Sequence, residues 1–155
     1  SRGEYRQGDY IYLLENDYIH DYAWAHFFYQ LITSDVLFDY ISLYDHSDKY
    51  PFRKGFHEMH KNLMSKIYVA GGRHWRSVPS TCYSFIVSAK KFKEDIDILK
   101  SDLMDHQMFD ELGKKGRIVL SPIPGLATHC MTNLLSPCVD WEKFLLPIPA
   151  SQWEA

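Results

Sequence analysis

Short apolar runs alternate along this chain with segments of amphipathic character. The runs rich in strand-forming residues predict β-strands at residues 10–14, 39–44, 66–70, 73–76, 82–87 and 117–120. Apolar positions spaced three and four apart predict helices at 21–32, 90–100 and 102–113, and a short helix at 140–146. The order of these elements predicts an α/β fold, in which a mixed sheet is flanked by helices.

Turn and capping residues mark several boundaries between these elements. Gly71 and Gly72 separate two predicted strands, which is typical of a two-residue hairpin turn with positive φ. Asp21 and Asp102 are predicted to cap the N-termini of their helices, and Gly113 is predicted to end the second of these.

The first predicted strand is a buried one that ends in two acids, Glu15 and Asp17, followed by a loop to residue 20. In open α/β sheets, ligands bind at the carboxyl ends of the strands. Mg²⁺ and Mn²⁺ prefer carboxylate oxygens and keep positions open for water or a substrate phosphate. The two acids therefore predict a cation or ligand site. The alternative is that Asn16 and Asp17 only form the turn that stops the strand.

Two further polar segments are candidates for function. The loop after the second predicted strand begins with Asp45 and His46, and its mixture of aromatic and charged residues suits substrate contact. His57 and His60 lie three apart and would share one face of a helix, where two imidazoles could bind Zn²⁺ or Ni²⁺. For both segments the stronger expectation is a solvated polar stretch.

Isolated charged residues form a third group of candidates. Asp105 lies in the first turn of the helix predicted at 102–113, where the helix macrodipole stabilises an anion. His129 follows the last predicted strand in a proline-containing loop. Arg73 and Arg76, on a predicted strand, either pair with phosphate or carboxylate groups or are simply solvated.

Composition narrows the possible functions. A chain of 155 residues predicts one domain. The net charge is −3 and no basic stripe exists, so a nucleic-acid partner is not expected. No apolar run reaches the roughly 18 residues of a membrane span. Three cysteines without C-x-x-C spacing favour reduced thiols and a cytoplasmic protein. The oligomeric state is not predicted.

The triplet Glu15-Asn16-Asp17 after an apolar strand resembles the DXD-type signature of GT-A fold glycosyltransferases, which use nucleotide-sugar donors. The resemblance covers roughly residues 9–130. It implies a GT-A-like fold and an enzyme that transfers a sugar from a nucleotide-sugar to a hydroxyl of a glycan or another acceptor. The family places βαβ units that bind the nucleotide before its signature. Residues 1–155 are therefore expected to be the C-terminal portion of such a domain.

The resemblance also implies a role for each site residue. Asp17 would be the main ligand of Mn²⁺ or Mg²⁺, and His129 the second ligand. Glu15 would contact the metal or the ribose of the donor. Asp105 would be the catalytic base that receives the proton of the acceptor hydroxyl, as general-base catalysis requires.

Three aromatic residues, Trp24, Tyr44 and Trp75, could stack on a sugar or base, although a core position is the stronger expectation for Trp24. Two other functions stay open. One is a metallohydrolase that uses His57, His60 and a distant acid. The other is a non-catalytic carbohydrate-binding or interaction module on the same fold.

Overall fold

The structure is a computed structural model that describes residues 8–51 and 56–145. The helices are α1 (Trp24–Ile32), α2 (Ala89–Glu94), α3 (Ile96–Leu99) and α4 (Asp105–Lys114). The strands are β1 (Tyr10–Leu13), β2 (Tyr18–His20), β3 (Tyr40–Ile41), β4 (Ile67–Ala70), β5 (Arg73–Val78), β6 (Phe85–Ser88), β7 (Val119–Ile123) and β8 (Ala127–His129).

The centre of the fold is a six-stranded mixed sheet in the order β1-β6-β3-β7-β5-β4, and β2 and β8 form a separate two-stranded sheet. In the large sheet β3 and β7 run parallel, while the other neighbouring strands are antiparallel. The predicted α/β fold with a mixed sheet flanked by helices is therefore confirmed.

Two clusters of buried side chains hold the helices against the sheet. One includes Leu31 of α1, and the other includes Phe109 and Leu112 of α4. Tyr40 and Ile41 are neighbours on β3, yet they belong to different clusters. Successive residues of a strand face opposite sides, so the sheet lies between the two clusters.

The aromatic residues considered for stacking are mostly core residues. Trp75 and Tyr44 are only 0% and 2% exposed, so the prediction that they stack on a sugar is wrong. Trp24 packs against the first cluster, which confirms its expected core position.

The hairpin prediction is confirmed in detail. β4 and β5 pair antiparallel across Gly71 and Gly72, which have φ of +59° and +71°. A Cβ at residue 71 would lie 2.5 Å from the Cβ of Gln30. Glycine is therefore required at residue 71 by both the turn and the close packing of α1.

The helix at 102–113 begins later than predicted. Met104, not Asp102, occupies the N-cap position, and its backbone N–H donates to Oε1 of Gln107 at 3.1 Å. Gly113 lies inside α4, and Gly116 has the positive φ of +82° that the end of the helix uses.

The helix predicted at 90–100 is divided at Asp95 into α2 and α3. Asp95 is 1% exposed and accepts hydrogen bonds from Tyr40, Lys115 and Arg117. Aspartate is unfavourable inside a helix. The break at Asp95 places its carboxylate at the centre of a buried ionic cluster. At the C-terminus the predicted helix is reduced to a 3₁₀ turn, Glu142–Phe144, and residue 146 lies outside the described residues.

The first strand is less buried than predicted. All four residues of β1 are half-buried, and β1 is an edge of the large sheet that pairs only with β6. Among the described residues, no helix has the length and apolar character that crossing a membrane requires.

Candidate functional site

The small sheet joins the acids of the first strand to the far end of the chain. Residues 15–20 were predicted as a loop, but residues 18–20 form β2, which pairs antiparallel with β8 so that Tyr18 lies opposite His129. The backbone N–H of Cys130 also donates to the carbonyl of Asp17 at 2.8 Å. This register brings Oδ2 of Asp17 to 2.6 Å from Nε2 of His129.

The two side chains differ in exposure. The carboxylate of Asp17 is 48% exposed, whereas the imidazole of His129 is 17% exposed. The ring of Tyr18 stacks on that imidazole with centroids 5.2 Å apart. Nδ1 of His129 is buried and has no hydrogen-bond partner in the described part of the chain. The imidazole is therefore held in place, while the carboxylate stays reachable from solvent.

Glu15 does not join this pair. Its backbone N–H donates to Oγ of Ser84 at 3.0 Å, and its carboxylate accepts from the same hydroxyl at 3.3 Å. Glu15 is thus anchored to the start of β6, while Asp17 is directed to β8. Glu15 and Asp17 therefore contact different parts of the chain.

Asp105 lies in the first turn of α4, as predicted. Its side chain is 33% exposed, and Oδ1 accepts a 2.6 Å hydrogen bond from the backbone N–H of His106. The carboxylate retains unused acceptor capacity, because a carboxylate has about four lone-pair sites.

Cys82 is the residue that connects these groups, and the sequence analysis assigned it no role. Burial raises the pKa of its thiol to about 11. The carboxylates of Asp105 and Glu15 contribute to this increase, while Tyr18 and Lys49 partly offset it. Cys82 is thus close enough to Glu15 and Asp105, two of the predicted site residues, for their charges to affect the pKa of its thiol. No sequence motif marks it, since only the fold brings these groups together.

Polar side chains surround a pocket of about 300 Å³ next to Cys82. We call it the histidine pocket, because four of the eight histidines line it. Its walls are formed by His46, Asp48, Lys49, His57, Met59, His60, Ser80, Thr81, Cys82, Asp105 and His106.

The segments that supply this pocket are more buried than predicted. Lys49 and His60 are 7% and 5% exposed, so the expectation of solvated stretches at 45–52 and 56–61 is wrong for them. Residue 52 lies outside the described residues. Nε2 of His60 faces Oδ2 of Asp48 at 3.3 Å, and Nζ of Lys49 lies 3.1 Å from Oδ1 of the same carboxylate. A carboxylate thus compensates the buried ammonium group.

The charged groups around Asp48 and His60 shift the pKa values of both side chains. Burial alone would raise the pKa of Asp48, but the hydrogen bond from His46 and the charge of Lys49 hold it well below its usual range. Burial lowers the pKa of His60, and the nearby Asp48 opposes this only in part. The cluster therefore favours an ionised Asp48 and a neutral His60.

His57 and His60 are not arranged as a helical metal site. His57 precedes a 3₁₀ turn, Glu58–His60, of which His60 is the last residue, and the two ring centroids are 6.2 Å apart. Nδ1 of His57 accepts from the backbone N–H of Met59, while His60 faces Asp48.

A buried ion pair supports the loop that carries His46 and Lys49. Arg76 donates to Oδ1 of Asp45 at 2.5 Å, and the hydroxyl of Tyr50 donates to Oδ2 at 2.5 Å. Arg73 donates to the carbonyl of Pro124 and lies over the ring of Phe27. Both arginines are therefore engaged within the fold, and neither is a free phosphate ligand.

In the described ranges 8–51 and 56–145, no group of three or more His, Cys, Asp or Glu side chains is placed to hold a metal ion. Among the described residues, Asp17 and His129 are therefore the two side chains of these types at the candidate cation position. A scan of protein-family models and searches of curated proteins and of solved structures gave no match to this chain.

Proposed function

We propose that this chain is part of a metal-dependent glycosyltransferase, with a GT-A-like fold, that transfers a sugar from a nucleotide-sugar to an acceptor hydroxyl. The observation that carries the proposal is the 2.6 Å approach of Asp17 and His129. These are the two residues that the resemblance implied as metal ligands. They are 112 residues apart in the chain and meet at the carboxyl side of β1.

The donor set fits a cation that shares its coordination shell with a substrate. One carboxylate and one imidazole suit Mn²⁺ better than Mg²⁺, because Mg²⁺ strongly prefers oxygen ligands. Two protein ligands leave most positions for water and for the oxygens of a diphosphate. A cation bound there would neutralise the charge that develops on the departing nucleoside diphosphate.

The residues of the chain have separate tasks in this proposal. Asp17 and His129 hold the cation. Glu15, anchored on Ser84 away from that pair, is assigned to the donor's ribose rather than to the metal. Asp105 receives the proton of the acceptor hydroxyl, a task for which a partly exposed carboxylate is suited.

The two other functions receive less support. The metallohydrolase needs His57 and His60 on a common metal, yet their nitrogens face Met59 and Asp48. A non-catalytic carbohydrate-binding module would retain the histidine pocket without using Asp17. Glycan binding without metal-dependent turnover would distinguish such a module from the transferase.

The decisive test is Mn²⁺ binding in the presence of UDP or GDP, measured by calorimetry on this chain and on the full-length product of its gene. Asp17→Asn and His129→Gln should each weaken Mn²⁺ binding by more than about tenfold, since even changes around metal ligands have effects of that size. Asn16→Ala, an exposed neighbour, is the matched control. Unchanged Mn²⁺ binding in both site variants would refute the role of the pair. A panel of nucleotide-sugars with Mn²⁺ then tests turnover.

A further inference from the structure

The histidine pocket continues into a second pocket of about 510 Å³, and the two share Met59, His60, Ser80 and His106. We infer that this continuous groove binds an amphiphilic acceptor: an uncharged sugar ring in the histidine pocket and an aliphatic chain in the second pocket. The inference names the acceptor class and rests on the proposed transferase function.

The histidine pocket offers the groups that recognise hydroxyls. A hydroxyl both donates and accepts, so its binding site needs partners of both kinds. Imidazoles supply donors, and Asp105 supplies a carboxylate whose hydrogen bond within the chain comes from the backbone of His106. Asp48 is already engaged by Lys49 and His60. Asp105 is therefore the carboxylate with free capacity for a ligand.

The second pocket, which we call the aliphatic pocket, has a different lining. Four of its side chains are apolar: Met59, Leu63, Pro79 and Leu103. Met59 is 63% exposed, so its apolar surface is available to a ligand in this pocket. Flexible thioether and leucine side chains adapt to an alkyl chain.

The same lining argues against a second sugar ring. Among the described residues, no Trp, Tyr or Phe lines either pocket, so the flat apolar surface on which a sugar ring could lie is missing. The rim carries Asp110 and Glu111, both paired with Lys114. Two carboxylates beside the entrance disfavour an anionic linker between ring and chain, so the acceptor is an uncharged glycoside.

The groove also leads to the proposed reaction site. Cys82 and Asp105 line the histidine pocket, and Tyr18, whose buried hydroxyl has no hydrogen-bond partner among the described residues, is one of the groups that affect the pKa of the Cys82 thiol. Tyr18 in turn stacks on His129. A ring bound in the histidine pocket would therefore present a hydroxyl to Asp105, which lines the same pocket as Cys82.

The test is equilibrium binding of octyl glucoside, below its critical micelle concentration, compared with methyl glucoside. The octyl compound should bind at least about tenfold more tightly, which requires burial of only two methylene groups. Leu63→Gln should remove that advantage. Met64→Gln is the matched control, because Met64 is 93% exposed and lines neither pocket.

Binding is measured without metal or donor, so its outcome is separate from that of the transferase assay. Equal affinity for both glucosides, or an octyl advantage that survives Leu63→Gln, would overturn the aliphatic pocket. Tighter binding of methyl maltoside than of octyl glucoside would overturn it in favour of a second sugar ring. If octyl glucoside binds as expected but no nucleotide-sugar supports transfer to it, the groove stands and the proposed reaction is overturned.

Discussion

Asp17 and His129 are joined by a 2.6 Å contact between Oδ2 and Nε2, formed where the short strands β2 and β8 pair. Each residue follows the end of a strand of the large sheet by only a few positions. The contact is more exposed than a structural ion pair normally is, since the carboxylate is 48% exposed. Such pairs contribute little stability.

Asp17→Ala therefore separates function from stability. The free energy of unfolding in urea should fall by less than about 1 kcal/mol, because an exposed pair is screened by water. Mn²⁺ binding measured on the same preparation should be lost. A loss of several kcal/mol together with metal binding would show instead that Asp17 is a structural residue.

Asp105→Asn should lower kcat of the proposed transferase by about 10²–10⁴-fold, because an amide does not accept the acceptor's proton. KM for the donor should change little, since the proposal assigns Asp105 to the proton of the acceptor and not to binding of the donor. Asp102→Asn, on an exposed residue that precedes α4, is the control. Comparable turnover in the two variants would remove Asp105 from the mechanism.

Asp95→Asn should be among the most destabilising single changes in the chain. The carboxylate is buried and accepts from Arg117, Lys115 and Tyr40. Removing its charge leaves Lys115 without this counter-ion and Arg117 with Glu94 and Asp39 alone, which costs about 3 kcal/mol, the lower end for loss of one partner of a buried pair. Urea unfolding gives the value, and Asp97→Asn, exposed on the neighbouring turn, should change it by less than about 0.5 kcal/mol.

The thiol of Cys82 should resist alkylation in the folded protein. With a pKa of about 11, roughly one thiol in a thousand is ionised at pH 8. The exposed Cys138 should be labelled first by iodoacetamide, as followed by peptide mass spectrometry. Labelling in urea provides the control, because unfolding should make Cys82 reactive. Equal rates in the folded state would contradict the half-buried environment of Cys82 beside two acids.

His60 predicts a loss of stability in mild acid. Its pKa is lowered in the folded protein from the ordinary value of 6.5, so the unfolded chain binds the proton first. The free energy of unfolding is therefore unaffected by His60 well above pH 6.5 and declines as the pH falls below that value towards the folded pKa. His60→Asn should flatten this part of the profile of stability against pH. A variant that retains the full decline would assign it to another group.

The sequence predicted the individual residues of the site but not the contacts between them. The acid triplet, the position of Asp105 in a first helical turn and the location of His129 after a strand all follow from local patterns. The pairing of β2 with β8 does not, because strands of three residues carry no clear periodicity.

The predictions failed mainly where charged or polar side chains are buried. Lys49 and His60 appear in polar stretches, and hydropathy alone places them in solvent. They are buried because Asp48 faces both and the Asp45–Arg76 pair anchors their loop. Compensation of this kind depends on contacts between distant segments, so Cys82 and Asp95 were missed for the same reason.

Because β2 and β8 pair over only three residues, the number of residues between β7 and β8 determines which side chain faces Asp17. Thr128 is fully enclosed and accepts a hydrogen bond from the backbone of Ser136, while its neighbour His129 faces the carboxylate of Asp17. Deleting a single residue between β7 and β8 would exchange the two sides. Every chemical group of the candidate centre would remain in the polypeptide, yet the imidazole of His129 would enter the interior in the place of Thr128, and the thiol of Cys130 would take its position beside Asp17.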